Sequence, residues 1–145
     1  MTEPAAFPID PDNLSELVGV LAAAGLPVAD LSEPGRAFFR FADDTGTVGF
    51  GGLEGQGADR LLRSLTVTPD RRGRGLGSAI LTLLEGEACR LGVERLHLLT
   101  NTAAPFFRTN GYNDADRGSA PVPIAASREF TALCPASATY LVKAL

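Results

Sequence analysis

Residues 60–91 read RLLRSLTVTPDRRGRGLGSAILTLLEGEACRL, and this stretch decides the fold. Residues 60–68 alternate well enough to predict a strand, and Pro69 ends it because proline cannot donate to a ladder. Gly73, Gly75 and Gly77 then punctuate a basic turn. Residues 78–91 place Ile80, Leu81, Leu84 and Ala88 at helical spacing, and Gly92 closes that helix. Residues 95–100, RLHLLT, follow as a short apolar strand. A strand, a helix and a second strand joined by a right-handed crossover make the two strands parallel.

On the N-terminal side, residues 12–24 space Leu14, Leu17, Val18, Leu21 and Ala24 by three and four, with Gly25 and Pro27 as the stop, so an amphipathic helix is expected. Phe38, Phe39, Arg40 and Phe41 form a β-prone stretch. Asp43, Asp44, Thr45 and Gly46 supply a turn, and residues 47–53 give the returning strand. Gly55, Gln56, Gly57 and Ala58 break the chain again before residue 60, so three consecutive antiparallel strands precede the glycine turn. On the C-terminal side, Asn101 or Thr102 is expected to cap a short helix carrying Phe106 and Phe107, with Gly111 closing it. Residues 113–135 are poorly patterned apart from a short helix at 125–133, and residues 138–143 read as a last strand. The sum is an α/β (α+β) chain: a mixed, mostly antiparallel sheet flanked by helices, expected to form a single domain over residues 1–145.

The 145 residues carry 13 Lys plus Arg against 17 Asp plus Glu, a formal net charge of −4. That balance lacks the excess of basic charge that a phosphate backbone calls for, so no nucleic acid is expected as a partner. No apolar run approaches the roughly 18 residues of a spanning helix, and the N-terminus has no basic region followed by an apolar core. No membrane partner and a cytoplasmic location are therefore expected. Cys89 and Cys134 are the two cysteines, without a second pair or a His cluster, so no metal is expected.

The chemistry lies in the turn Arg72-Gly73-Arg74-Gly75-Leu76-Gly77. Its glycines let the backbone approach a ligand, the positive end of the following helix faces the same way, and Arg71, Arg72 and Arg74 add charge. A pyrophosphate is the natural guest; the bland alternative is a solvated turn. The loop lacks the Lys of a GxxxxGK[ST] phosphate loop and the spacing of a GxGxxG fingerprint. On the strand before it, Arg63 alternates onto one face with Leu61, Leu65 and Val67, where a guanidinium needs an anion. That anion is a substrate carboxylate or, equally, Glu54 or Asp59 in an ion pair. Glu54 is also the best-placed carboxylate to accept a proton. His97 reads as core edge or surface, Cys89 as a small core residue, and Cys134 as a packing or cap residue.

Arg72-x-x-Gly75-x-Gly77 resembles the [QR]-x-x-G-x-[GA] signature of the GNAT superfamily of acetyl-CoA-dependent N-acetyltransferases. Leu65-Thr66-Val67-Thr68-Pro69 resembles the strand and proline before that signature. Ala104-x-Phe106-Phe107-x-x-x-Gly111-Tyr112 is similar to the family's A-x-x-F-Y-x-x-x-G-F region, so the likeness covers residues 36–112. It implies that acetyl-CoA is the cosubstrate, held by Leu65, Val67, Arg72, Gly73, Arg74, Gly75, Leu76, Gly77, Ser78, Asn101, Phe106 and Phe107. It further implies that the amide near Val67 polarises the thioester carbonyl, and that a small-molecule amine, amino-acid-like and oriented by Arg63, attacks directly. Phe107 stands where many members have a Tyr that protonates the departing thiolate; Tyr112 or Tyr140 could substitute. More narrowly, Leu62-Arg63-Ser64-Leu65, Leu98-Leu99-Thr100 and residues 133–138 resemble the small N-acetyltransferases associated with arsenic resistance, which implies an arsenic- or phosphorus-containing glutamate analogue as acceptor. A homodimer stays open, as does a module that senses acyl-CoA without transferring it.

Overall fold

The computed structural model describes residues 3–26, 28, 31, 35–127, 130–131 and 137–145. Pro27, Cys134, and residues 128–129 and 132–133 of the expected 125–133 helix lie outside these. In chain order the elements are β1 (Ala5–Pro8), α1 (Ser15–Ala23), β2 (Arg36–Asp43), β3 (Gly46–Glu54), β4 (Asp59–Val67), α2 (Leu76–Arg90), β5 (Arg95–Thr100), α3 (Ala104–Thr109), β6 (Asn113–Asp114), α4 (Val122–Ala125) and β7 (Thr139–Ala144). The strands form one seven-stranded sheet in the order β1-β2-β3-β4-β5-β7-β6. The β4–β5 pair is parallel and the others are antiparallel. This is the mixed, mostly antiparallel sheet with flanking helices expected of the GNAT fold.

Helices cover both faces. The α2 stripe of Ile80, Leu81, Leu84 and Ala88 packs with Leu53, Leu62, Leu96, Leu98, Phe107 and Leu141 in one cluster. Leu17 and Leu21 of α1 pack with Phe38 and Phe50 in another, on the opposite face. Cross-strand partners share a face, and the alternation of β2 and β3 explains why adjacent phenylalanines, Phe38 and Phe39, enter different clusters. Val18 and Ala24 are exposed, so the buried edge of α1 is narrower than its spacing suggests. Cys89 is exposed as well, contrary to its expected core place. It sits one residue past Ala88, about 100° around the helix from the buried stripe.

One irregularity in β4 matters for everything that follows. Between the pairs Phe50 with Thr66 and Gly52 with Arg63, β3 contributes Gly51 alone while β4 contributes Ser64 and Leu65. This is a β-bulge, and Ser64 sits in it at φ 61°, the left-handed region that non-glycine residues rarely enter. The extra residue inverts the alternation. Arg63, paired with Gly52, keeps the α1 face with Leu61, whereas Leu65 and Val67 pack against the α2 cluster. The expectation that Arg63 shares a face with Leu65 and Val67 is therefore corrected.

Glycine on β3 makes the bulge region possible. A Cβ on Gly49 would stand 2.3 Å from the Thr66 carbonyl oxygen and 2.9 Å from Ile80 Cδ1. Gly49→Ala must push β4 off β3 beside the bulge, and the expected loss is about 1–3 kcal/mol, read as a lower urea midpoint at unchanged slope. A variant as stable as the parent would contradict this packing.

Candidate active site

β4 and β5 are held together only at one end. Their register pairs Asp59 with Arg95, Arg60 with Leu96 and Leu61 with His97, and the ladder stops there. Side chains lock that end. Asp59 accepts two bonds from Arg95, Nε at 2.7 Å and Nη2 at 3.0 Å, and lies 2.8 Å from His97 Nε2. His97 Nδ1 lies 2.7 Å from the Tyr140 hydroxyl. Since a carboxylate only accepts, His97 donates to Asp59 from Nε2. The Arg95 guanidinium, with smaller help from His97, holds the Asp59 carboxyl down at about 2 against the upward pull of burial. Burial first, and the Asp59 charge second, push the Tyr140 phenol up.

Beyond Leu61 the strands part, and a cavity of about 770 Å³ fills the gap. Its walls include Arg63, Ser64, Leu65 and Val67 of β4, and Leu98, Leu99 and Thr100 of β5. Ala24, Gly25 and Leu26 close it on the α1 side, and Gly77, Phe106 and Phe107 on the side of α2 and α3. It therefore passes through the sheet from one face to the other.

The glycine turn stands at the α2 mouth. Pro69–Arg71 forms a single 3-10 turn after β4, and Gly73 and Gly75 adopt φ 80° and 73°. A Cβ at either glycine would meet nothing within 4 Å, so the backbone faces open space. Gly75 is the N-cap of α2 and no side chain caps that end, leaving first-turn amides for an incoming anion. This chemistry fits a pyrophosphate. Arg72 lines the cavity while its Nε donates to the Val67 carbonyl at 3.1 Å, and Arg74 is exposed. Arg71 does not contribute. Its buried guanidinium turns to the β2–β3 hairpin, donating to Asp43 at 3.1 Å and to Thr45 Oγ1 at 2.5 Å.

Of the residues expected to hold a cosubstrate, Leu65, Val67, Arg72, Gly77, Asn101, Phe106 and Phe107 line the cavity. Gly73, Arg74, Gly75, Leu76 and Ser78 form the neighbouring turn and helix start. Phe106 is the half-buried member of its pair, set against Gly77, while Phe107 is buried edge-on to Tyr112. The helix cap also differs from expectation: Ala103, and neither Asn101 nor Thr102, is the N-cap of α3 and no side chain caps that end, while Thr100 Oγ1 accepts the N–H of Ala103 itself at 3.0 Å.

Arg63 has the ion pair that its apolar surroundings demanded. Its fully buried Nη1 donates to Glu54 Oε1 at 2.9 Å, and Arg36 approaches the same carboxylate at 3.6 Å. Glu54, expected as a proton acceptor, is not among the residues that line the cavity, and its carboxylate pairs with Arg63 and Arg36. Tyr112 and Tyr140 stay outside the cavity too. The Tyr112 hydroxyl donates to Glu85 at 2.9 Å, and burial, with the Glu85 charge behind it, pushes that phenol far above its usual range. Among the described residues no three His, Cys, Asp or Glu side chains group as a metal site requires. No helix among them is long and apolar enough to cross a membrane.

The family described as "Acetyltransferase (GNAT) domain" matches residues 34–114. No curated protein sequence matches the chain. Among solved structures, N-acetylglutamate synthase from Neisseria gonorrhoeae complexed with coenzyme A and N-acetyl-glutamate superposes with TM-score 0.77 at 17% identity, over 100% of this chain and 36% of that one. This chain thus spans about a third of that synthase. Rv2747 from Mycobacterium tuberculosis, in a complex containing CoA, gives TM-score 0.73 at 16% identity, covering 97% of this chain and 99% of the other. An acetyltransferase from Streptococcus agalactiae gives 0.70 at 16%, with both chains covered in full, 100% each. At these identities the likeness is one of fold.

The clamp at Asp59 has a measurable signature. Its folded pKa, about 2, lies below the value near 4 of an unfolded aspartate, so its contribution is complete above about pH 4 and is lost as pH falls toward 2. Urea unfolding of the parent should weaken across that window, and Asp59→Asn should be less stable at pH 7 and flatter between pH 4 and 2. Identical slopes for the two proteins would deny the clamp.

Proposed function

The chain belongs to the GNAT acetyltransferase family, and from that premise we propose that it transfers the acetyl group of acetyl-CoA to the primary amine of a small, amino-acid-like acceptor. The observation that carries this reading is the cavity through the sheet, with the glycine-arginine turn at one mouth and Arg63 on the wall toward the other. Acetyl-CoA supplies the activated thioester. First-turn amides of α2 with Arg72 and Arg74 bind its pyrophosphate, and the free edge of β4 at Leu65 and Val67 receives the pantetheine arm as an added strand. The Val67 amide polarises the acyl carbonyl.

The acceptor enters from the α1 face. Arg63 supports a carboxylate-bearing acceptor: it lines the cavity and brings a guanidinium charge to its wall on the α1 side. Within that class, a glutamate analogue carrying an arsinate or phosphinate is the finer proposal, resting on the likeness of residues 62–65 and 98–100 to the arsenic-resistance enzymes. A module that senses acyl-CoA is the second reading, favoured by Phe107, which has no hydroxyl to protonate a leaving thiolate.

Two measurements separate these readings. Gly75→Asp places a carboxylate in open space at the mouth of the anion site, at a strained φ of 73° that aspartate tolerates better than most side chains, and calorimetry should show acetyl-CoA binding weakened at least tenfold, about 1.4 kcal/mol, in a folded variant. Unchanged affinity would remove the turn from the binding site. Thiol release should then be followed with amino acids, with glutamate analogues, and with the amines that lack the α-carboxylate. Acceptors with the carboxylate should show kcat/KM at least tenfold higher than their decarboxylated partners. Acetyl-CoA binding without thiol release for any acceptor would favour the sensor.

A further inference from the structure

Resting on the proposed acetyl transfer, we propose that Arg72 is a latch that sets specificity: its guanidinium covers the Val67 carbonyl until a pyrophosphate draws it away, so the open edge of β4 admits thioesters that carry phosphate in preference to those that do not. The backbone sets this up. Thr68 N–H donates to the Val48 carbonyl on β3 at 2.9 Å, and the Val67 carbonyl, on the other side of the same trans peptide, points away from β3. The Thr66 carbonyl oxygen lies against Gly49 on β3, so the Val67 N–H that shares its peptide points away as well. Val67 thus turns both its donor and its acceptor to the edge along the cavity, the pair that an added strand exchanges.

That acceptor is covered by the chain itself. Arg72 Nε donates to the Val67 carbonyl oxygen at 3.1 Å, and Thr66 Oγ1 donates to it at 3.4 Å. A carbonyl has two lone pairs, and these two donors meet both, so a pantetheine amide N–H must displace one of them. Arg72 is the one with somewhere to go. Thr66 is buried within the strand, whereas Arg72 is exposed and stands where the chain enters the glycine turn. Its neighbour Arg71 is held by Asp43 and Thr45 and cannot make the same move. A guanidinium binds phosphate through charge-assisted bonds that a neutral carbonyl does not match, so an anion at the first turn of α2 shifts Arg72 off Val67 by the difference between the two partners. A thioester without phosphate must displace the guanidinium with no such partner to offer it.

Acetyl-CoA and acetyl-pantetheine, the same thioester without phosphates, are the probes. By calorimetry Arg72→Ala should bind acetyl-CoA about tenfold more weakly, yet bind acetyl-pantetheine about threefold more tightly, a reversal of sign. Inorganic pyrophosphate should tighten acetyl-pantetheine on the wild type by about threefold and have no effect on Arg72→Ala. Because Arg72 is exposed, the variant should melt within about 2 °C of the wild type. An arginine that only binds the anion would leave the variant's affinity for acetyl-pantetheine unchanged, and one that only supports the turn would weaken both ligands. Either outcome overturns the latch, as does a wild type on which pyrophosphate leaves acetyl-pantetheine unmoved. A wild type that shows these signatures but releases no thiol with any acceptor overturns the transfer and leaves the latch in place, whereas one that acetylates an acceptor without them overturns the latch alone.

Discussion

The parting of β4 and β5 is the constraint on which the rest of the structure depends. Two parallel strands bonded along their whole length would seal the sheet; here three register pairs at one end are secured by Asp59, Arg95 and His97, and the other end stays open. The clamp belongs to the strands themselves, since Asp59 starts β4, Arg95 starts β5, and Tyr140 on β7 braces His97 from the next strand across. Opening one end of a sheet exposes backbone edges that need partners. A ligand with amide groups of its own is suited to such an edge, and the unfilled gap doubles as the passage between faces.

The bulge at Ser64 and Leu65 performs a second division of labour. Below it, β4 shows Leu61 and Arg63 to the α1 face; above it, Leu65 and Val67 pack toward α2. One extra residue thus lets a single strand present a charged group to one side of the sheet and an apolar edge to the other, both along one cavity. The glycines of β3 accommodate this, since Gly49, Gly51 and Gly52 stand where neighbouring strands and helices approach too closely for a Cβ.

Much of this architecture was legible in the sequence because its signals are local. Strands β2 to β5 and helix α2 follow from alternation, the 3.6-residue stripe and glycine punctuation, and the parallel pairing follows from crossover handedness. β1 and β6 were not legible, since Ala5–Pro8 and Asn113–Asp114 are short edge strands made by pairing with Arg36–Asp43 and Thr139–Ala144. The bulge left no mark in composition, so strict alternation put Arg63 on the wrong side of Leu65. The glycine-arginine turn was readable, but which arginines serve it was not: Arg71 is drawn away by Asp43, twenty-eight positions earlier in the chain.

Amide hydrogen exchange with and without acetyl-CoA tests the central claim, that an acyl-CoA lies along the open edge of β4, more directly than turnover does. The account predicts slowed exchange at Leu65 and Val67 and at the first-turn amides of α2, with the clamped segment Asp59 to Leu61 unchanged. Protection confined to other parts of the chain, or none at saturating acetyl-CoA, would contradict it.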